Sequence, residues 1–159
     1  MMIKKTVWIE ILPRALWVLK FALLVSTQYI FINKPQITKS TFKLIPGILL
    51  SAVGFCFWIY VTHYMHIQGS FSSKKELCTD GPFKYIRHPM YVSIYIMIAG
   101  IGLLFFSWMW FVLMLAFVPI WFAVCKMEEN QMTEIWKEKY LGYKRKTGMF
   151  FPRVNLKRR

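Results

Sequence analysis

Long apolar blocks alternate along this chain with short basic segments. Leu44 to Met65 runs 22 residues without Asp, Glu, Lys or Arg, and Tyr91 to Cys125 runs 35 with none. A helix needs about 20 apolar residues to cross a bilayer, so the first block predicts one spanning helix and the second predicts two, with Phe106-Ser107-Trp108 as the turn of a hairpin. Ala15 to Ile32 is a further block, interrupted by Lys20, whose long stem can carry its charge to an interface. Glu10 and Arg14 precede it and no small-residue cleavage site follows, so it reads as a retained span rather than a cleaved signal. After Cys125 the pattern becomes amphipathic: Glu128, Met132, Trp136 and Tyr140 recur at i, i+4 and share one helical stripe, which Ile135 and Tyr143 widen. Gly142 and the basic run Lys144 to Gly148 predict that this helix stops before a basic turn. The expected fold class is an all-α integral membrane protein of about four transmembrane helices, with a helical hairpin toward the carboxyl terminus followed by an amphipathic cytoplasmic helix.

Composition sharpens the picture. With 159 residues, 57% of them hydrophobic, and a mean hydropathy of +0.41, the chain reads as a single membrane-embedded domain over 1–159. Two spans fill 1–65, a cytoplasmic loop 66–90, the hairpin 91–125, and a cytoplasmic helix with a basic tail 126–159. The net charge of +14 would suggest nucleic acid in a soluble protein. Here the Lys and Arg flank apolar blocks, where they orient the chain and meet lipid headgroups, so membrane lipids are expected as partners and nucleic acid is not. Placing both termini and the segment 66–90 on one side collects 17 of the 21 Lys and Arg there, which makes that side cytoplasmic. Cys56, Cys78 and Cys125 form no CxxC pair, and His63 and His66 lack a third ligand, so neither a disulfide framework nor a metal centre is expected.

The candidate chemistry begins at residues 81–91, GPFKYIRHPMY, where polar chain turns into an apolar helix. Pro89 lacks an N–H and fixes its own φ, so it suits the first helical turn and holds His88 extended. Arg87, His88 and Tyr91 therefore gather at a helix entrance at the depth where membrane meets water. Glu128 and Glu129 follow the last charge-free block, and a hairpin would bring both clusters to one membrane face. Such a group suits a zwitterionic cofactor or a lipid headgroup, or an interfacial Arg87–Glu128 ion pair that merely pins the hairpin. Ala99, Gly100 and Gly102 lie within a membrane segment and read as helix-packing notches.

Taken together, Gly81-Pro82-Phe83-x-Tyr85-x-Arg87-His88-Pro89-x-Tyr91, the hairpin, Glu128-Glu129, the aromatic residues Trp136, Tyr140 and Tyr143, and Thr147-Gly148 before Pro152 resemble the isoprenylcysteine carboxyl methyltransferase family and its phospholipid methyltransferase relatives. The resemblance implies an integral membrane enzyme that transfers a methyl group from S-adenosylmethionine to a lipophilic acceptor entering from the bilayer. By position, Gln68, Lys75, Glu76, Leu77, Cys78, Phe83, His88, Pro89, Met90, Tyr91 and Glu128 would line the cofactor pocket. Glu128 would hold the cofactor's amino acid portion. Arg87 would support the helix entrance or the acceptor, and Glu129 would serve as general base for an amine acceptor. Two departures from the pattern stand out. Lys137 replaces a usual Gly, which reads as a surface change of little consequence. Val124 replaces the Arg that would pair with an acceptor carboxylate, and Lys126 lies about 200° away around a helix, so an acceptor other than a prenylcysteine carboxylate is expected. Two other readings are an NADPH-dependent sterol-type reductase, which usually has Asn where Met90 stands, and a non-catalytic membrane scaffold.

Overall fold

The computed structural model describes residues 40–67, 77–105 and 108–153, with isolated positions between 15 and 26. The span expected over Ala15–Ile32 and the turn residues Phe106 and Ser107 thus lie wholly or largely outside the described residues. Among the described residues the protein is all-helical, without strands: α1 (Thr41–Ile67), a single 3-10 turn (Gly81–Lys84), α2 (Pro89–Phe105), α3 (Trp108–Ala116) and α4 (Val118–Lys146). Two helical stretches, Thr41–Ile67 and Trp110–Lys146, are long and apolar enough to cross a membrane, and Pro89–Phe105 is a shorter apolar helix.

α1 starts at Ser40, a residue type favoured at helix caps, whose carbonyl accepts the N–H of Leu44 at 3.0 Å. Its 27 residues extend about 40 Å at 1.5 Å per residue, more than the roughly 30 Å of a hydrocarbon core. One face is buried at a spacing of seven, through Gly47, Gly54 and Val61. The other leaves Phe42, Ile45, Leu49, Val53, Ile59 and Tyr60 exposed. A water-facing surface rarely carries an apolar patch of that extent, whereas a lipid-facing one does.

The chain divides into two compact units, Met1–Ile48 with Ala99–Gln131, and Leu49–Ile98 with Met132–Arg159. In the first, Gly47 lies so close to Leu104 that a methyl group there would meet its side chain at 2.8 Å. The Gly102 notch receives the Trp110 ring, and Phe105 and Trp110 pack with ring centroids 6.2 Å apart. Pro119 has no N–H for the carbonyl of Leu115, which accounts for the interruption at Phe117 between α3 and α4. Buried Trp121, Val124, Cys125 and Glu129 then mark the inner face of α4.

In the second unit α1 and α2 approach at Gly54, where an added methyl group would strike the main chain of Met97. The helix expected to stop near Gly142 continues to Lys146. Its last turn carries Lys144, Arg145 and Lys146, cations favoured beside exposed helix carbonyls, so the basic run is the helix end rather than a turn after it. The expected stripe is also interrupted: α4 breaks at Lys137, with φ 46° and ψ −124°. Tyr140, which is buried, lies beyond that break. This backbone setting corresponds to the first central position of a type II′ turn, which Gly dominates, so Lys137 is not the inconsequential surface change its position suggested.

Candidate functional site

The Arg-His-Pro-x-Tyr element is built by local rules and then clamped by the tail. Gly81 has φ +55° and lies against the Tyr64 ring, with 2.6 Å between an added methyl position and that ring. Pro82 starts the 3-10 turn, whose Phe83 N–H donates to the Asp80 carbonyl at 3.0 Å. The chain then extends through Ile86 to His88, whose carbonyl accepts the Val92 N–H at 3.3 Å and so receives the first bond of α2. Pro89, completely buried, holds the first helical position.

The extended stretch is paired with residues beyond α4. Ile86 and Gly148 form a parallel bridge. The Arg87 N–H donates to Gly148 O at 2.9 Å and the His88 N–H to Met149 O at 3.1 Å. Tyr143 Oη donates to Phe83 O at 2.7 Å, tying α4 to the 3-10 turn. Arg87 sends Nη1 to the carbonyls of Lys144, at 3.2 Å, and Thr147, so its guanidinium caps the end of α4. Gly148 is tight: a methyl group there would run into the Phe151 carbonyl.

His88 is buried, at 8% exposure, between the rings of Tyr91, 5.7 Å away and edge-on, and Phe150, 5.9 Å away. The structure thus brings together Arg87, His88, Pro89 and Tyr91, and adds Phe150, while the neighbouring Phe151 ring is exposed. Burial raises the pKa of Tyr143, with Tyr140 adding to the effect, so the phenol remains a proton donor. Burial likewise raises the Cys78 thiol, keeping it protonated near neutral pH beside Asp80. Leu77, Phe83 and Met90 are half-buried. Gln68, Lys75 and Glu76 lie outside the described residues.

In the other unit, Glu129 is completely buried and Glu128 half-buried. Spacing aims Glu128 inward, and it is half-buried with its carboxylate within 4.8 Å of the Cys125 thiol; the buried face through Trp121 and Cys125 also reaches Glu129. Val124 is 5% exposed. Lys126 is exposed with its Nζ 5.3 Å from the Phe122 ring centre, whereas Val124 lies on the buried face. The backbone clamp formed by residues 147–149 escaped sequence reasoning because main-chain pairing leaves no side-chain signature; Thr147-Gly148 was its only legible trace.

Comparison with known proteins yields one family match and two curated relatives. A family model described as phospholipid methyltransferase matches residues 42–139. Over 93 residues the chain is 36% identical to a nickel-cobalt-cadmium resistance protein of Alcaligenes xylosoxydans xylosoxydans, covering 58% of this chain and 42% of that protein. Over 83 residues it is 37% identical to a cobalt-zinc-cadmium resistance protein of Cupriavidus metallidurans, covering 52% and 38%. The matched stretches span less than half the length of these curated relatives.

Proposed function

The chain belongs to the phospholipid methyltransferase family, and on that premise we propose that it is a multi-pass membrane methyltransferase that uses S-adenosylmethionine to methylate a lipophilic acceptor at the cytoplasmic face. The observation that carries this reading is the buried His88 at the entrance of an apolar helix, within the matched region and flanked by aromatic rings. In this reading the chain is one membrane-embedded domain of about four spans, with 91–125 as a hairpin and both termini cytoplasmic. Labelling from outside the cell then reaches Thr38→Cys and misses Ser72→Cys; the opposite pattern overturns that topology.

The residues present suit such a cofactor. Carboxylates at membrane depth are costly unless they meet a cation, and the cofactor carries an ammonium and a sulfonium. Aromatic faces beside His88 suit both a cation and a flat base. When bound, S-adenosylmethionine supplies an already activated methyl group, so the chain's own contribution is orientation and exclusion of water. Gln68, Lys75 to Cys78, Phe83 and the His88 to Tyr91 element are assigned to the cofactor's surroundings. Glu128 is assigned to its amino acid portion. Glu129 is assigned to hold the proton lost by an amine acceptor, and Arg87 to keep the helix entrance in place. With Val124 buried in place of Arg, an acceptor that brings no permanent anion to that position is favoured.

The decisive measurement titrates S-adenosylhomocysteine and NADPH side by side on purified protein in detergent. Saturable S-adenosylhomocysteine binding is expected, weakened tenfold to about a hundredfold in His88→Ala and in Glu128→Gln, the range of a charge-assisted contact worth about 1.5–3 kcal/mol. Binding of NADPH alone, or unchanged binding in both variants at unaltered thermal stability, overturns the assignment. Efficient labelled methyl transfer to a farnesylcysteine analogue by the unaltered protein refutes the acceptor class, whereas transfer appearing only in Val124→Arg supports it.

A further inference from the structure

An open groove of about 580 Å³ lies at the carboxyl-terminal end of α4, and its lining includes Arg87, Lys144, Arg145, Thr147, Phe151 and Arg153. Four of these are cations, and none of the residues lining the groove is acidic. A helix carboxyl terminus carries only about half a negative charge, too little to account for four cations gathered there. Two of them are held by the main chain: Arg153 Nη1 donates to Arg145 O at 2.6 Å, and Arg87 Nη1 donates to Lys144 O and Thr147 O. A guanidinium fixed through one nitrogen is pre-organised to present its other donors to an oxyanion. Phe151 is 81% exposed beside the groove. An exposed aromatic ring beside a basic groove fits the boundary between headgroups and acyl chains.

We propose that this groove is a binding site for the phosphate of an anionic membrane phospholipid, with Arg145 and Arg153 as its principal donors and Phe151 set against the lipid's apolar part. The site goes beyond the methyltransferase reading and does not depend on it. A soluble phosphate compound shares the phosphate chemistry but has no use for the exposed ring.

The test uses the full chain purified in detergent, with native mass spectrometry measuring binding of dioleoylphosphatidylglycerol and of dioleoylphosphatidylcholine. Phosphatidylglycerol is expected to bind more tightly. The double variant Arg145→Gln/Arg153→Gln should lower its affinity about twentyfold to thirtyfold, near fivefold per cation removed beside an anionic surface. Lys84→Gln/Lys139→Gln removes the same charge outside the groove and should change the affinity less than about twofold. Phe151→Ala should weaken the lipid and leave glycerol 3-phosphate binding unaltered. Equal affinity for the two lipids, equal loss in both double variants, or displacement of the lipid by millimolar inorganic phosphate overturns the proposal.

Discussion

Replacing Lys137 with Gly should make the protein more stable, although the same change elsewhere in a helix does the reverse. At φ 46° and ψ −124° an L side chain crowds its own backbone, and conformations of this kind cost of order 1–3 kcal/mol. Gly removes that strain, while its greater freedom in the unfolded chain returns about 0.5–1 kcal/mol. The net expectation is a gain of up to about 2.5 kcal/mol, or up to roughly 10 °C in Tm for a chain of this size. Lys137 is exposed, so little packing is lost with its side chain. Lys137→Ala keeps the Cβ and should leave Tm close to the starting value. Glu138→Gly, at the neighbouring exposed position, should lower stability by about 1 kcal/mol. Thermal unfolding of the three variants in one detergent measures the differences. A loss in Lys137→Gly equal to that in Glu138→Gly would mean that α4 runs unbroken through this position and that Lys137 carries no backbone strain.

Two further outcomes are expected. Gly54→Ala should destabilise by about 1–3 kcal/mol because its methyl group meets the main chain of Met97, whereas Gly142→Ala, with nothing within 4 Å of the added carbon, should stabilise by roughly 0.5–1 kcal/mol; thermal unfolding of the pair reads both. Tyr143 holds its proton more tightly folded than unfolded, so its contribution is intact below the unfolded value of about 10 and is lost as pH rises through the higher folded value. The fall in Tm above pH 10 should therefore be shallower in Tyr143→Phe, and an identical slope would remove Tyr143 as its source.

The helix entrance at His88 and Pro89 was legible because proline geometry is a local rule that needs no knowledge of the rest of the fold. The apolar blocks were legible for the same reason. Their inward faces were not: on α1 the buried Gly47, Gly54 and Val61 and the exposed Ile45, Leu49 and Val53 are all apolar, so polarity does not separate core from lipid. Spacing aimed Glu128 inward, and α4 buries Glu129 more fully. Helical periodicity also ran straight through Lys137, since a single residue forced into left-handed backbone leaves the hydrophobic pattern on either side intact. The end of α4 was misjudged because Gly142 looks like a stop signal, yet the run of carbonyls it would have ended is capped instead by Arg87, 57 residues away from Lys144 in sequence.

The bridge between Ile86 and Gly148 also fixes an order of assembly. Closing a loop of that length is entropically slow compared with forming a helix, and it requires both ends of the loop to exist. A chain that ends with α4 already carries its apolar helices, both glutamates and the Lys144 carbonyl, yet lacks the Gly148 and Met149 carbonyls that accept the Arg87 and His88 N–H groups. Insertion into the membrane and closure of the main-chain bridge are therefore separable events, and a released chain truncated before Gly148 would keep the Tyr143 and Lys144 contacts while its helix entrance lacks that bridge.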